Sequence, residues 1–269
     1  MSTVYLIGKP VGHSLSPAMH DAAFAALGLP HRYKTREVDE ADLRATIEKL
    51  RSEDTLGANV TIPHKEAVLP LVDEASEEAR RIGAVNTITR QGRRLVGDNT
   101  DRYGFRRALE ERECVPADAT VLVLGAGGAA RACVIELVER NEVLIANRGY
   151  ERAEGLAVAL GVAGTARPIR WEDAQRLVSA DAIVNATPLG LQGEDALEGF
   201  SFKRLPGIVV DLVPTAEETA LVRRAREAQH VRVVDGLLML LHQAARSFAL
   251  WTGVDPPLAV MRAALPRPV

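Results

Sequence analysis

VLVLGAGGAARA, residues 121–132, decides how the rest of the chain is read. The run from Thr120 to Leu124 is β-branched and apolar, as a strand covered on both faces should be. Ala129 to Glu139 favours helix and carries apolar residues at helical spacing. The glycine turn between them, Gly125-Ala126-Gly127-Gly128-Ala129, has a physical purpose. Gly125 permits a tight turn, Gly127 lets backbone approach a pyrophosphate, and the third small position, Gly128 or Ala130, lets the helix pack close with its N-terminus facing the anion. The spacing is G-x-G-G-A-A rather than G-x-G-x-x-G, so this turn alone also suits an α/β protein that binds no nucleotide.

The next strand narrows the reading. VLIAN, from Val143 to Asn147, ends where an NAD enzyme places an acidic residue against the ribose 2′-hydroxyl; here the chain reads Asn147-Arg148, with Arg152 one helical turn on. A carboxylate would repel a 2′-phosphate, whereas guanidinium groups pair with it. The cofactor read from these residues is therefore NADP.

Outward from this core, strands are expected at Thr120–Leu124, Glu142–Asn147, Ala182–Asn185, Ile208–Leu212 and Val231–Val234, separated by helical segments, which describes a Rossmann-like, doubly wound nucleotide-binding domain. The first hundred residues alternate on their own account. Strand-like Val4–Gly8, Tyr33–Val38, Gly57–Thr61 and Ala84–Thr89 are interleaved with helix-like Pro17–Leu27, Glu40–Arg51, Pro63–Val72 and Glu74–Ile82, and Gln91-Gly92-Arg93 reads as a hairpin turn. A long helix follows Gly236, and Asp255-Pro256 resembles the start of a short terminal helix. The expected organisation is α/β with two domains: residues 1–100 and 237–269 form an N-terminal α/β domain to which the C-terminal helices return, and 101–236 form the nucleotide domain.

A length of 269 residues suits two ordinary domains, and 47% hydrophobic content can fill their cores. The net charge of -3 has its signs interspersed, which argues against a nucleic-acid partner. Cys114 and Cys133 show no C-x-x-C spacing and the six histidines no H-E-x-x-H, so a metal site is not expected and a reducing, cytoplasmic setting is. No apolar stretch approaches the roughly 20 residues that span a bilayer, so no membrane association is expected.

Four further motifs lie outside the nucleotide domain: GKPVGHSLSP at 8–17, GANVTIPHK at 57–65, GAVNT at 83–87 and GDNTD at 97–101. Ser14, Ser16, Asn59, Thr61, Asn86 and Asp101 bring neutral donors and acceptors to strand ends, with Lys65 as the single cation among them. That inventory suits a small polyhydroxylated ligand with one carboxylate. Each residue also has a plainer reading. Ser16 before Pro17 could cap a helix, Asn59 and Asn86 could tie turns, and Asp101 could be an ordinary carboxylate at a helix start. Lys65 falls in the first turn of the expected helix, where its charge opposes the macrodipole, so a purely structural lysine is less natural there.

Taken in order, these motifs resemble the shikimate dehydrogenase family. The resemblance runs nearly end to end and adds NATPLG at 185–190 and GLLMLLHQA at 236–244. It implies interconversion of 3-dehydroshikimate and shikimate with NADP(H), a step of aromatic amino acid biosynthesis, by a monomer or homodimer. By the same resemblance Ser14 and Ser16 hold the substrate carboxylate, and Asn59, Thr61, Asn86, Asp101 and Gln243 the ring hydroxyls. Lys65 and Asp101 are the catalytic pair. Gly125, Ala126, Gly127, Gly128 and Ala129 line the pyrophosphate, Asn147, Arg148 and Arg152 the 2′-phosphate, and Thr187, Leu212, Gly236 and Met239 the nicotinamide end. Three positions depart from the family pattern: Arg102 stands where glycine is common, Gly149 where threonine is, and Pro214 where tyrosine is. The alternatives are a quinate or aminoshikimate dehydrogenase of the same family, and a cofactor-binding regulator without catalysis.

Overall fold

A computed structural model describes residues 1–162, 164–177 and 179–267. They divide into two units, one made of Met1–Gly104 with the chain from Leu240 onward, the other of Phe105–Met239. Residues 268–269, the last of the expected N-terminal domain, lie outside the described residues.

In the first unit the opening alternation builds a six-stranded mixed sheet. Its elements are β1 (Thr3–Gly8), α1 (Ser16–Ala26), β2 (Arg32–Glu37), α2 (Leu43–Lys49), β3 (Thr55–Val60), β4 (Glu74–Ala75), α3 (Glu77–Ile82), β5 (Thr87–Gln91), β6 (Arg94–Asp98) and the start of α4 (Asp101–Glu111). The strand order is β2-β1-β3-β5-β6-β4. β1 pairs in parallel with β2 and β3, whereas β5 runs antiparallel to β3 and β6, so β1 and β3 finish at the same end of the sheet. Ile7, Ile47, Val60, Ile88 and Leu95 fill the core on one face, each buried side chain contributing about 1.5–3 kcal/mol. On the other side, His20 and Phe24 of α1 and Tyr33 of β2 meet Phe248 and Trp251 in an aromatic nest; His20 stacks on Tyr33 at 4.5 Å between centroids. Phe248 and Trp251 belong to the long helix after Gly236, and Trp251 Nε1 donates to the Ile88 carbonyl at 3.0 Å.

Three local expectations are corrected. Residues 63–72 form turns and one 3₁₀ turn at Leu69–Leu71 instead of a helix. Pro63 and Pro70 supply no N–H and disfavour helix in the residue before them, which breaks the ladder. Lys65 therefore lies in a turn, and the macrodipole argument does not apply to it. α1 starts at Ser16 itself, with Leu15 at the N-cap position and no side-chain cap bond, so Ser16 is not a cap. The terminal helix starts at Leu258 after Pro257, two residues beyond Pro256.

The second unit comprises β7 (Thr120–Leu124), α5 (Gly128–Leu137), β8 (Glu142–Asn147), α6 (Tyr150–Ala159), β9 (Ala166–Arg170), α7 (Trp171–Arg176), β10 (Ala182–Asn185), β11 (Ile208–Asp211), α8 (Ala220–Glu227), β12 (Arg232–Asp235) and the start of α9 (Gly236–Thr252), with α10 (Leu258–Ala263) belonging to the first unit. The order β12-β11-β10-β7-β8-β9 is wholly parallel. This is the doubly wound arrangement, with the direction of winding switching between β7 and β10, where such sheets bind ligands. β9, an edge strand, was not among the expected strands. Among the described residues no helix is long and apolar enough to cross a membrane. Both cysteines are buried, and burial pushes the Cys114 thiol up to about 11.

Candidate functional site

Two groups of expected residues are brought together, one in each unit. In the first, β1 and β3 run side by side and the loops that follow them touch. Thr61 N–H donates to the Ile7 carbonyl at 2.8 Å and Lys9 N–H to the Ile62 carbonyl at 2.9 Å. Gly8 makes that approach possible, because a Cβ there would collide with Thr61 Cγ2 and stand 2.8 Å from the Ile62 oxygen. The loop after β1 carries Ser14 and Ser16, with Ser16 N–H donating to Ser14 Oγ at 3.3 Å. Ser16 is buried near the Tyr33 phenol, whose proton goes to Asn59 Oδ1 at 2.7 Å. Burial is the main cause raising the Tyr33 pKa, so this phenol stays a neutral donor.

Lys65 Nζ lies 2.6 Å from Asp101 Oδ2, with side-chain exposures of 14% and 4%. The second carboxylate oxygen, Oδ1, accepts from Asn86 Nδ2 at 2.8 Å, and Asp101 N–H donates to Asn99 Oδ1 at 2.9 Å. The carboxylate is therefore fixed from both sides while Lys65, with three N–H donors, gives one to it. Asn86 is itself held: its Oδ1 accepts from Thr100 N–H and from the Thr87 hydroxyl, both at 2.8 Å. Gln243 Oε1 lies 3.4 Å from both Asn86 Nδ2 and the Thr100 hydroxyl.

Beneath these residues lies a buried set of hydroxyls that sequence reasoning missed. Ser247, fully buried, lies 2.8 Å from the Thr87 hydroxyl, 3.1 Å from the Thr100 hydroxyl and 3.1 Å from Asn59 Nδ2. Its spacing of four from Gln243 on α9 was the available signal, since that places the two on one helix face. Asn59 Nδ2 donates entirely within the protein, to Ser247, Thr87 and the Asn86 carbonyl, which leaves a ligand only the second lone pair of Oδ1. Arg102 Nη1 lies 3.5 Å from Glu78 Oε1 of α3.

In the second unit the residues expected at the cofactor gather at the ends of β7, β8, β10 and β11. Gly125 has φ +106°, and a Cβ there would stand 2.8 Å from the Ala186 oxygen and 3.3 Å from Thr187 Cγ2, so the glycine turn and the loop after β10 meet at the switch point. Gly127 caps α5 in an extended conformation with open space where a side chain would be, and Gly128 and Ala129 begin the helix. This open backbone at a helix N-terminus fits a pyrophosphate. Asn185 fixes Thr187: its Oδ1 accepts from the Thr187 hydroxyl at 2.6 Å and from the Thr187 N–H at 3.1 Å. Asn185 Nδ2 in turn donates to Asp211 Oδ1 at 2.9 Å. Burial pushes the Asp211 carboxyl up to about 6 against the opposing hydrogen bonds from Thr219, Val213 and Asn185. Gly236 packs on the backbone of Leu212 and Val213 at 2.6–2.7 Å from where a Cβ would be, and Met239 is buried one helical turn on. Pro214 sits inside a tight turn closed by Thr215 N–H to the Val213 carbonyl at 3.1 Å. At the end of β8, Asn147 Nδ2 donates to the Gly149 carbonyl at 3.0 Å, and Arg148 and Arg152 are exposed.

Three family models match successive stretches of the chain: the shikimate dehydrogenase substrate binding domain over residues 6–88, shikimate/quinate 5-dehydrogenase over 108–214, and the shikimate 5′-dehydrogenase C-terminal domain over 236–265. The shikimate dehydrogenase (NADP(+)) of Moorella thermoacetica is 45% identical over 96% of this chain and 90% of its own. Shikimate 5-dehydrogenase from Thermus thermophilus, solved in complex with NADP(H) and shikimate, superimposes with a TM-score of 0.84 at 39% identity, covering 98% of both chains. Quinate dehydrogenase from Corynebacterium glutamicum, solved with NAD, gives 0.87 at 32% identity, again over 98% of both chains. With its motifs in the family's order and matches spanning both units, the chain belongs to the shikimate dehydrogenase family.

Proposed function

We propose that this chain is an NADP-dependent shikimate dehydrogenase, interconverting 3-dehydroshikimate and shikimate in aromatic amino acid biosynthesis. The observation that carries the reading is the Lys65–Asp101 pair at 2.6 Å, set among neutral hydroxyl and amide groups. Ser14 and Ser16 hold the substrate carboxylate. Thr61 and Gln243 offer hydrogen bonds to ring hydroxyls, while Asn59 and Asn86, mostly engaged inside the protein, shape that surface and orient Asp101.

Reducing the ring carbonyl needs a hydride at carbon and a proton at oxygen. When bound, the nicotinamide supplies or accepts the hydride. Lys65 Nζ gives the proton to the developing alkoxide in the reducing direction and, as the neutral amine, takes it from the hydroxyl in the oxidising one. Asp101, pinned by Asn86 and its own N–H contact to Asn99, holds the lysine at the reacting oxygen. Gly125 to Ala129 receive the pyrophosphate, Asn147, Arg148 and Arg152 the 2′-phosphate, and Thr187, Leu212, Gly236 and Met239 the nicotinamide end.

The test is the absorbance of reduced cofactor with shikimate and quinate, each with NADP and NAD. Shikimate with NADP should give the highest kcat/KM; a higher value with quinate would move the assignment to the family's other named substrate. In the same assay Lys65→Ala should lower kcat by about 10²–10⁴-fold with a much smaller change in KM. A near-normal kcat would remove Lys65 from the chemistry.

A further inference from the structure

The strand that the sequence did not announce carries a residue at the cofactor end. β8 and β9 pair in parallel with Asn147 opposite Arg170, so the two residues close neighbouring strands, about 4.8 Å apart. Arg170 is exposed, and its guanidinium carbon lies 5.2 Å from the centre of the Tyr150 ring. Tyr150 is the first residue of α6, two positions after Arg148 and two before Arg152. One strand end thus gathers Arg148, Arg152 and Arg170 around Gly149.

The three guanidiniums share an electrostatic property. Among the described residues none of them has a carboxylate within ion-pair distance; this is true of Arg167 as well, so it is their grouping that marks them. Like charges gathered at one place repel, and a doubly charged anion set among them turns that cost into attraction. Gly149 offers no hydroxyl, and α6 has no side-chain cap, so beside the charges an anion finds open backbone N–H groups but no hydroxyl at that position. A basic residue on an edge strand ordinarily serves to prevent strand pairing. Arg167 of the same strand fits that use; an odd spacing of three puts it on the opposite face from Arg170, and it has no aromatic support.

We propose that Arg170 is a third guanidinium of the 2′-phosphate site, held in place by stacking on Tyr150, and that it supplies binding that Gly149 does not. This rests on reading Asn147-Arg148 as the 2′-phosphate end.

Calorimetric titration of NADP⁺ and NAD⁺ into the full chain tests it without turnover. Arg170→Ala should weaken NADP⁺ roughly tenfold and leave NAD⁺ within about twofold, as for loss of one exposed charge-assisted contact. Arg167→Ala should change neither, and Tyr150→Leu should reproduce part of the Arg170→Ala loss for NADP⁺ alone. If Arg148→Ala weakens NADP⁺ while Arg170→Ala does not, the proposal is overturned and the cofactor reading stands. Equal losses for both nucleotides in Arg170→Ala also overturn it, since the residue would then serve the adenine or the fold. A wild-type chain that binds NAD⁺ as tightly as NADP⁺ overturns both.

Discussion

Replacing His20 by leucine should flatten the acid limb of the first unit's stability. Both ring nitrogens of His20 are buried without a hydrogen-bond partner, in the nest formed by Phe24, Tyr33, Phe248 and Trp251. Burial lowers its pKa from 6.5 to about 3, so the ring is neutral in the folded chain. Unfolding lets it take a proton at any pH below about 6.5, and stability is lost as pH falls from there towards 3. Each pH unit well inside that window costs about 1.4 kcal/mol, which sums to about 3 kcal/mol between pH 7 and pH 4. His20→Leu removes the proton uptake and the two desolvated nitrogens while keeping an apolar body against Tyr33. The assay is urea unfolding from pH 7 to pH 4, followed by Trp251 fluorescence in a Trp171→Phe background, because Trp251 lies 5.2 Å from His20 and Trp171 belongs to the other unit. Wild type should lose about 3 kcal/mol more than His20→Leu across that range. Parallel pH profiles for the two proteins would refute the reasoning, because the buried ring would then gain or lose no proton on unfolding.

Gly149→Thr should raise the preference for NADP over NAD severalfold in kcat/KM at no cost in stability. A Cβ there meets Asn147 Nδ2 at 3.7 Å and Arg152 Cγ at 3.9 Å, both ordinary contacts, and φ −92° with ψ 103° suits a β-branched residue. A fall in melting temperature, or an equal gain with NAD, would contradict this. Asp211→Asn should stabilise the second unit at neutral pH by up to about 3 kcal/mol. Its folded pKa is raised to about 6, so the wild-type contribution is whole below about 3.8 and is lost as pH rises through 6. Chemical unfolding at pH 5 and pH 7.5 checks it: the advantage of Asp211→Asn should be larger at the higher pH, and an unchanged or smaller difference would sink the argument.

What could be read in the sequence was what local chemistry repeats. The apolar strands at Thr120–Leu124 and Glu142–Asn147 and the glycine turn between helix and strand are where the structure has them, because burial on both faces and a phosphate-wide turn leave few other residue choices. β9 escaped notice because ARPIR carries a proline and two arginines, tolerable only on an edge. The segment from Pro63 to Val72 was expected to be helical, yet prolines at 63 and 70 prevent it. At the site, Ser14, Ser16, Asn59, Thr61, Lys65, Asn86 and Asp101 stood out as polar residues at strand ends. Tyr33, Thr87, Thr100 and Ser247, which hold them, did not, since a lone hydroxyl gives no sign of what it will bond across the fold.

The hydroxyl network under the Lys65–Asp101 pair also constrains how a ribosome can deliver this protein. Asn59 meets Ser247 across 188 positions of chain, and Asn86 meets Gln243 across 157. During synthesis the second unit, ending at Met239, is complete before the first receives the stretch that begins at Leu240. Domains usually mature in the order they emerge; here that order is reversed. Until α9 arrives, Asn59, Thr87 and Thr100 can bond to one another and to Asn86 but lack the Ser247 hydroxyl that meets all three, so water takes that place in the nascent first unit. Asn86 and Asn99, which hold Asp101, are made early, and α9 closes the hydroxyl set beneath them.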